Sequence, residues 1–227
     1  MFKRFHPNEK FNDVQLLWNK LKEPFFWKKP QIVATCFTSD LFQKSVTDSF
    51  INNVIDTIYC TSDLHSYILL TKRAKRACDL LKKIQANGFE LKGLGTEKYR
   101  NFLENIWLGA TVEHQDYVER AENLRTVDID GHKWLSFEPL LGPIDPKICK
   151  GFDWVVVGGE SGSQARYMEP KWVYPIRDYC LEHGILFYFK QWGNQKKGYI
   201  LDGQVYRDIP FSCHDLIMST TSQIQLI

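Results

Sequence analysis

The sequence has no apolar run approaching the roughly 18 residues that span a bilayer. Its start, Met1-Phe2-Lys3-Arg4-Phe5-His6-Pro7, lacks the apolar centre of a signal peptide. No membrane partner is expected, and the chain reads as cytoplasmic. An excess of charge is missing too: 29 Lys and Arg stand against 27 Asp and Glu, a net of +2, so any basic surface for nucleic acid has to be local. The six cysteines, Cys36, Cys60, Cys78, Cys149, Cys180 and Cys213, contain no CxxC pair and no His-Cys cluster, which leaves no structural zinc spacing. Without a secretory signal they read as buried thiols rather than a disulfide framework. HExxH, a Walker loop and a Ser-His-Asp order are absent as well. No metal ligand and no catalytic residue is assigned.

What is present is a hydrophobic content of 44% in 227 residues, enough to bury the core of one α/β domain. The chain is organised around Trp154-Val155-Val156-Val157-Gly158-Gly159-Glu160-Ser161-Gly162. An unbroken apolar run fits a parallel strand covered on both faces. The glycines after it allow a sharp turn and leave backbone N–H groups open to a ligand.

The same construction recurs. Ile32 to Phe37 runs into Thr38-Ser39-Asp40, before a helical pattern of Phe50, Ile51, Val54, Ile55 and Ile58. Ser66 to Leu70 runs into Thr71-Lys72-Arg73, before a helix burying Ala77, Leu80, Leu81 and Ile84 and stopping near Asn87-Gly88. Ile106 to Val112 runs into Glu113, with a charged helix through Arg125, and Lys133 to Phe137 runs into Glu138-Pro139. After the Trp154 strand, a helix carrying Trp172, Val173, Ile176 and Cys180 leads through Gly184 to Ile185–Phe189, ending in Lys190-Gln191-Trp192-Gly193. Six strand-to-polar-tip units of this kind, alternating with helices, predict a single-domain α/β fold, a (β/α) partial TIM-like barrel with about six parallel strands.

Residues 1–30 read as an aromatic and basic arm whose rings cover a core edge rather than stack bases, 31–193 as the partial barrel, and 194–227 as a C-terminal extension with a hairpin around Asp202-Gly203. The segment 88–101 reads as a surface loop.

Parallel strands end on one face, so the polar tips gather at one barrel mouth. Asp40, Lys72, Arg73, Glu113, Glu138, Gly158, Gly159, Glu160, Lys190 and Gln191 are therefore the candidate ligand-binding residues. Acids and bases ringed together suit a zwitterionic or phosphorylated ligand, with Arg73 on its anionic end and Glu138 or Glu160 on an amino group or ribose hydroxyls. The basic runs Lys72-Arg73-Ala74-Lys75-Arg76 and Lys196-Lys197 read first as a solvated helix face and a hairpin tip, and they permit a phosphate-bearing partner.

The tips also carry a resemblance. Thr38-Ser39-Asp40-Leu41-Phe42, Leu70-Thr71-Lys72-Arg73, Asn105 through Glu113, Phe137-Glu138-Pro139 through Asp145, Asp153 through Gly162 with Ala165-Arg166, and Phe189-Lys190-Gln191-Trp192-Gly193 resemble, in this order, a phage- and prophage-borne radical-SAM-like protein family of unknown function. The resemblance implies a (β/α) partial barrel. For a full-length member it also implies an N-terminal segment of closely spaced cysteines ligating a [4Fe–4S] cluster beside S-adenosylmethionine. This chain starts at Met1, and Lys3-Arg4-Phe5 resembles the region downstream of that segment, so no cofactor is expected from the chain itself. Two functions stay open. One is a cluster-free phage or prophage protein that binds a ligand, nucleic acid or a host or phage protein at the mouth. The other is a truncated or split radical-SAM enzyme of nucleotide or nucleic-acid modification.

Overall fold

Each apolar run of the sequence forms a strand: β1 Ile32–Thr35, β2 Ser66–Thr71, β3 Ile106–Thr111, β4 His132–Phe137, β5 Trp154–Gly158 and β6 Leu186–Gln191. In this computed structural model residues 14–36, 39–86, 104–127, 131–193 and 198–211 are described. The strands lie in one sheet in chain order, every neighbour parallel, with registers such as Ala34↔Ile68, Leu69↔Leu108, Gly109↔Trp134 and Leu135↔Val155. Sequential parallel pairing and strand twist curl such a sheet into a half-barrel, and β1 and β6 remain its two edges.

Helices α1 Asp48–Thr61, α2 Ala74–Ala86, α3 Glu119–Arg125 and α4 Pro170–Glu182 lie in four of the five crossovers, and a 3-10 helix, Pro146–Cys149, in the one from β4 to β5. Thr47 starts α1, its hydroxyl accepting from the Phe50 N–H at 3.3 Å. The expected stripe Phe50, Ile51, Val54, Ile55 and Ile58 is buried. Of the α2 stripe, Ala77 and Leu80 are buried and Leu81 is half-buried, while the Ile84 side chain lies outside the described set. Gly184, at φ +67°, ends α4 where the helix needs a left-handed residue.

Strand alternation separates two apolar layers. Leu69, Leu108, Leu135, Val155 and Phe187 point towards the helices. Ile68, Trp107, Trp134, Trp154 and Val156 point to the concave side, with Leu70, Leu186 and Tyr188 against them. Gly109 makes the inner layer feasible: Trp134 of β4 lies flat over it, and its Nε1 donates to the carbonyls of Leu69 and Trp107, each at 3.2 Å. Both faces are therefore covered, as the unbroken runs require.

The hairpin around Asp202-Gly203 joins β7 Ile200–Leu201 to β8 Gln204–Val205, with φ of +52° and +75° at the two turn residues, as a type I′ turn demands. Beyond β8 the chain returns to the main sheet, a course that no pattern in the sequence predicts. The Phe189 N–H donates to the Tyr206 carbonyl at 2.9 Å, the Asp208 N–H to the Phe187 carbonyl at 3.3 Å, and Trp154 Nε1 to the Asp208 carbonyl at 2.9 Å. The C-terminal extension thus covers the edge of β6 and sets Phe211 against Trp107 and Trp154 at the N-terminal end of the strands.

The arm is a 3-10 helix, Trp18–Phe26. Its three-residue period turns Leu21, Pro24 and Trp27 inward. His65 Nε2 donates to the Pro24 carbonyl at 3.0 Å, and Trp18 sits edge-on to Phe50. The expectation that the arm's aromatics cover a core edge holds for Trp27 but fails for Phe25 and Phe26, which the same period leaves in solvent. Residues 1–13, Phe37 and Thr38, Asn87-Gly88 and the 88–101 loop, Lys196-Lys197, Cys213 and the tail beyond Phe211 lie outside the described residues. Among those described, no helix is long and apolar enough to cross a membrane.

Candidate ligand site at the barrel mouth

The strand tips stand at one end of the sheet, and most are already paired with one another. Asp40 ties β1 to β2. Its Oδ1 accepts from the Phe42 N–H at 3.0 Å and the Thr71 hydroxyl at 2.8 Å, and its Oδ2 from the Lys72 N–H at 3.0 Å and Arg73 Nη1 at 2.8 Å. Four donors fill a carboxylate, so Asp40 and Arg73 form a structural clasp. The Lys72 ammonium turns to Glu113 at the tip of β3. Arg120 of α3 holds the other Glu113 oxygen at 2.6 Å and the Thr111 carbonyl at 2.9 Å. Two cations around buried Glu113 offset its desolvation. The rest of the basic run is also engaged: Lys75 pairs with Asp79 at 3.1 Å, and Arg76 reaches the Val46 carbonyl at 2.7 Å and Asp48 at 2.8 Å.

The concave side carries a different arrangement. Alternation puts Glu138, just past β4, and Lys190 of β6 on the inner face, with β5 between them. They meet above Gly158, Lys190 Nζ to Glu138 Oε2 at 2.9 Å. A Cβ at position 158 would lie 3.0 Å from that Oε2 and 3.4 Å from Lys190 Cβ, so the bare backbone is what lets the pair close. The Ser136 hydroxyl donates to Glu138 Oε1 at 3.3 Å. Lys190 is 55% exposed and Glu138 22%. Arg207 approaches from the C-terminal extension, over the Tyr188 ring at 4.6 Å and donating to the Lys190 carbonyl at 3.3 Å.

At the β5 tip, Gly159 and Gly193 bring two backbones into contact: the Gly159 N–H donates to the Gln191 carbonyl at 2.9 Å, and Gly193 adopts φ +87°. Gln191 Nε2 donates to the Ser161 hydroxyl at 2.7 Å. Glu160 turns away from the other tips to Arg166, which gives it Nε at 2.7 Å, Nη2 at 2.9 Å and its N–H at 3.0 Å.

The family model described as protein of unknown function (DUF5131) matches residues 2–210. The chain belongs to that family. No curated protein and no solved structure matches it significantly. The DUF5131 match takes in every strand of the half-barrel and the extension that covers β6, so the whole mouth lies within it.

Sequence reasoning on this DUF5131 chain reached Glu138 and Lys190 but not Ser136 or Arg207 as their companions, and Glu113 but not Arg120. Arg207 carried no signal, because only the return of the C-terminal extension brings it to β6. The residues that sequence alone put against a ligand, Arg73 and Glu138 or Glu160, each have an internal partner, in Asp40, Lys190 and Arg166.

The Arg166 guanidinium beside Glu160 holds its carboxyl down at about 2. A folded value below the ordinary 4.5 means that the pair favours the fold at neutral pH and that this contribution is lost as pH falls through about 2. Following the Glu160 carboxyl carbon by NMR should show titration near 2, returning towards 4.5 in Arg166→Ala. The same low value in that variant would show that Arg166 is not the cause.

The described cysteines do not gather as a cluster-ligand set. Cys36, Cys78, Cys149 and Cys180 are buried as expected, but Cys60 is exposed. Cys149 and Cys180, on separate elements, do approach each other, and the Cys180 thiol together with burial pushes the Cys149 thiol up. Among the described residues no three His, Cys, Asp or Glu gather where a metal could be held. A [4Fe–4S] cluster, which needs several converging thiolates, therefore does not fit the described residues.

Proposed function

We propose that the mouth of the half-barrel binds a small ligand carrying both an amino group and an anionic group, and that Glu138 and Lys190 receive them. The observation that carries this reading is the Glu138–Lys190 pair itself, half open to solvent and held over a position without a side chain. An exposed ion pair is worth about 0–1 kcal/mol, whereas hydrogen bonds to charged groups contribute about 1.5–3 kcal/mol each. A zwitterion entering between the two side chains replaces one weak pair with two stronger contacts and buries no net charge. Glu138 accepts from the amino group, Lys190 and Arg207 face the carboxylate or phosphate, and Ser136 keeps Glu138 oriented. Trp134, four residues before Glu138, and Val156 and Tyr188, two residues before Gly158 and Lys190, lie on the same face and supply an apolar floor.

The resemblance to radical-SAM-like phage proteins supports S-adenosylmethionine as the first probe, because its methionyl end is such a zwitterion. Titration calorimetry with S-adenosylmethionine, S-adenosylhomocysteine and adenosine monophosphate should show binding of at least one of them. Glu138→Gln and Lys190→Met should each weaken it about tenfold or more, for the loss of one charge-assisted contact, with the melting temperature nearly unchanged. Failure of all three probes to bind, or an affinity unmoved by Glu138→Gln, would remove this reading.

A further inference from the structure

We propose that the N-terminal arm is a stacking platform for single-stranded nucleic acid, independent of the mouth. Phe26 is 75% exposed, Phe25 54% and Trp18 47%. Core packing accounts for Trp18, which shares the 3-10 face of Leu21, Pro24 and Trp27 and meets Phe50, but not for Phe25 and Phe26, which lie off that face. Two adjacent large aromatics left in water, with the half-exposed Trp18 on the same short element, mark an interaction surface.

Charge narrows the partner. Residues 14–31 hold four lysines and one glutamate, a net of +3, in a chain whose total is only +2. Lys20 pairs with Glu23 at 2.5 Å. Lys22, Lys28 and Lys29 are exposed and, among the described residues, have no carboxylate within reach. Flat apolar faces beside exposed cations match a polymer that alternates bases with phosphates. It has to be single-stranded, because duplex bases already spend their faces on one another. A protein partner fits less well, since lysine is depleted from the centres of protein interfaces. The arm runs along α1 from Phe50, in the first turn of that helix, to His65, which precedes β2, so its Phe25-Phe26 end lies towards the end of the sheet opposite the strand tips.

The test is fluorescence anisotropy with labelled oligothymidylate and oligouridylate of roughly 20 nucleotides, a length that covers one such platform. Saturable binding of either strand is expected, and three phosphate contacts should make it fall roughly 20-fold between about 50 and about 200 mM salt. Phe25→Ala with Phe26→Ala should weaken it about tenfold or more, with an unchanged thermal melt because both rings are exposed. Phe26→Trp should retain it, and Lys28→Ala with Lys29→Ala should flatten the salt slope by about 1.4. Absence of binding to both strands at low salt, affinity indifferent to the ring variants, or equal affinity for duplex would overturn the proposal. So would ring-dependent self-association in sedimentation, which would make the patch a protein interface. The mouth can fail its ligand test without touching any of these outcomes.

Discussion

Gly159→Val is expected to lower stability by about 3 kcal/mol or more, in the range reserved for overpacking and backbone strain, while Ser163→Ala is close to neutral. A Cβ at 159 would overlap the Trp192 carbonyl oxygen and stand 2.6 Å from its carbon and 3.0 Å from the Gly193 nitrogen. All three are backbone atoms, so no rotamer change relieves the clash. Separating the two chains would break the bond from the Gly159 N–H to the Gln191 carbonyl and would draw out Trp192, which is buried and anchored by its Nε1 on the Ile200 carbonyl at 2.8 Å. Ser163 is exposed and makes no comparable contact. Urea unfolding should show a lower midpoint for Gly159→Val at similar slope, and midpoints indistinguishable from Ser163→Ala would refute the account. Gly158→Val separates the two glycines, because its added atoms meet the movable side chains of Glu138 and Lys190. Ligand binding should suffer there more than the fold.

Gly109→Val should destabilise by about 3–5 kcal/mol, comparable to losing a large buried side chain. The new Cβ would enter the Trp134 indole, within 2.7 Å of Cδ2, on a central strand paired on both sides. Trp134 is buried, and turning its ring away would break the Nε1 bonds to Leu69 and Trp107 and disturb Trp154, whose ring centre is 4.9 Å away. The clash has one main partner, so Trp134→Leu added to Gly109→Val should recover part of the loss and give a non-additive double-mutant cycle. Strictly additive losses would show that position 109 is constrained by something other than this ring.

These two positions show how unevenly the chain could be read from its letters. The Gly158-Gly159 pair stood out because it ends an apolar run. Gly109, inside a strand, carries no signal of its own because its reason lies 25 residues away in Trp134. The ten candidate tip residues were found from a single geometric fact, that parallel strands end together. Which of them pair internally was not readable: whether Arg73 meets a ligand or Asp40 depends on side-chain reach between neighbouring tips, and Asp40 has four donors around it only once β1 and β2 are in register.

The sequence by itself determined the six parallel strands, the helices between them, the shared end of the tips and the turn at Asp202-Gly203, because those depend on local periodicity and backbone preference. Tertiary structure alone decided that the C-terminal extension returns to cover β6, that Arg207 arrives beside Lys190, and that Glu138 and Lys190 close over Gly158. Each of those outcomes depends on the side chain or backbone that a distant residue meets, and no spacing along the chain encodes that contact.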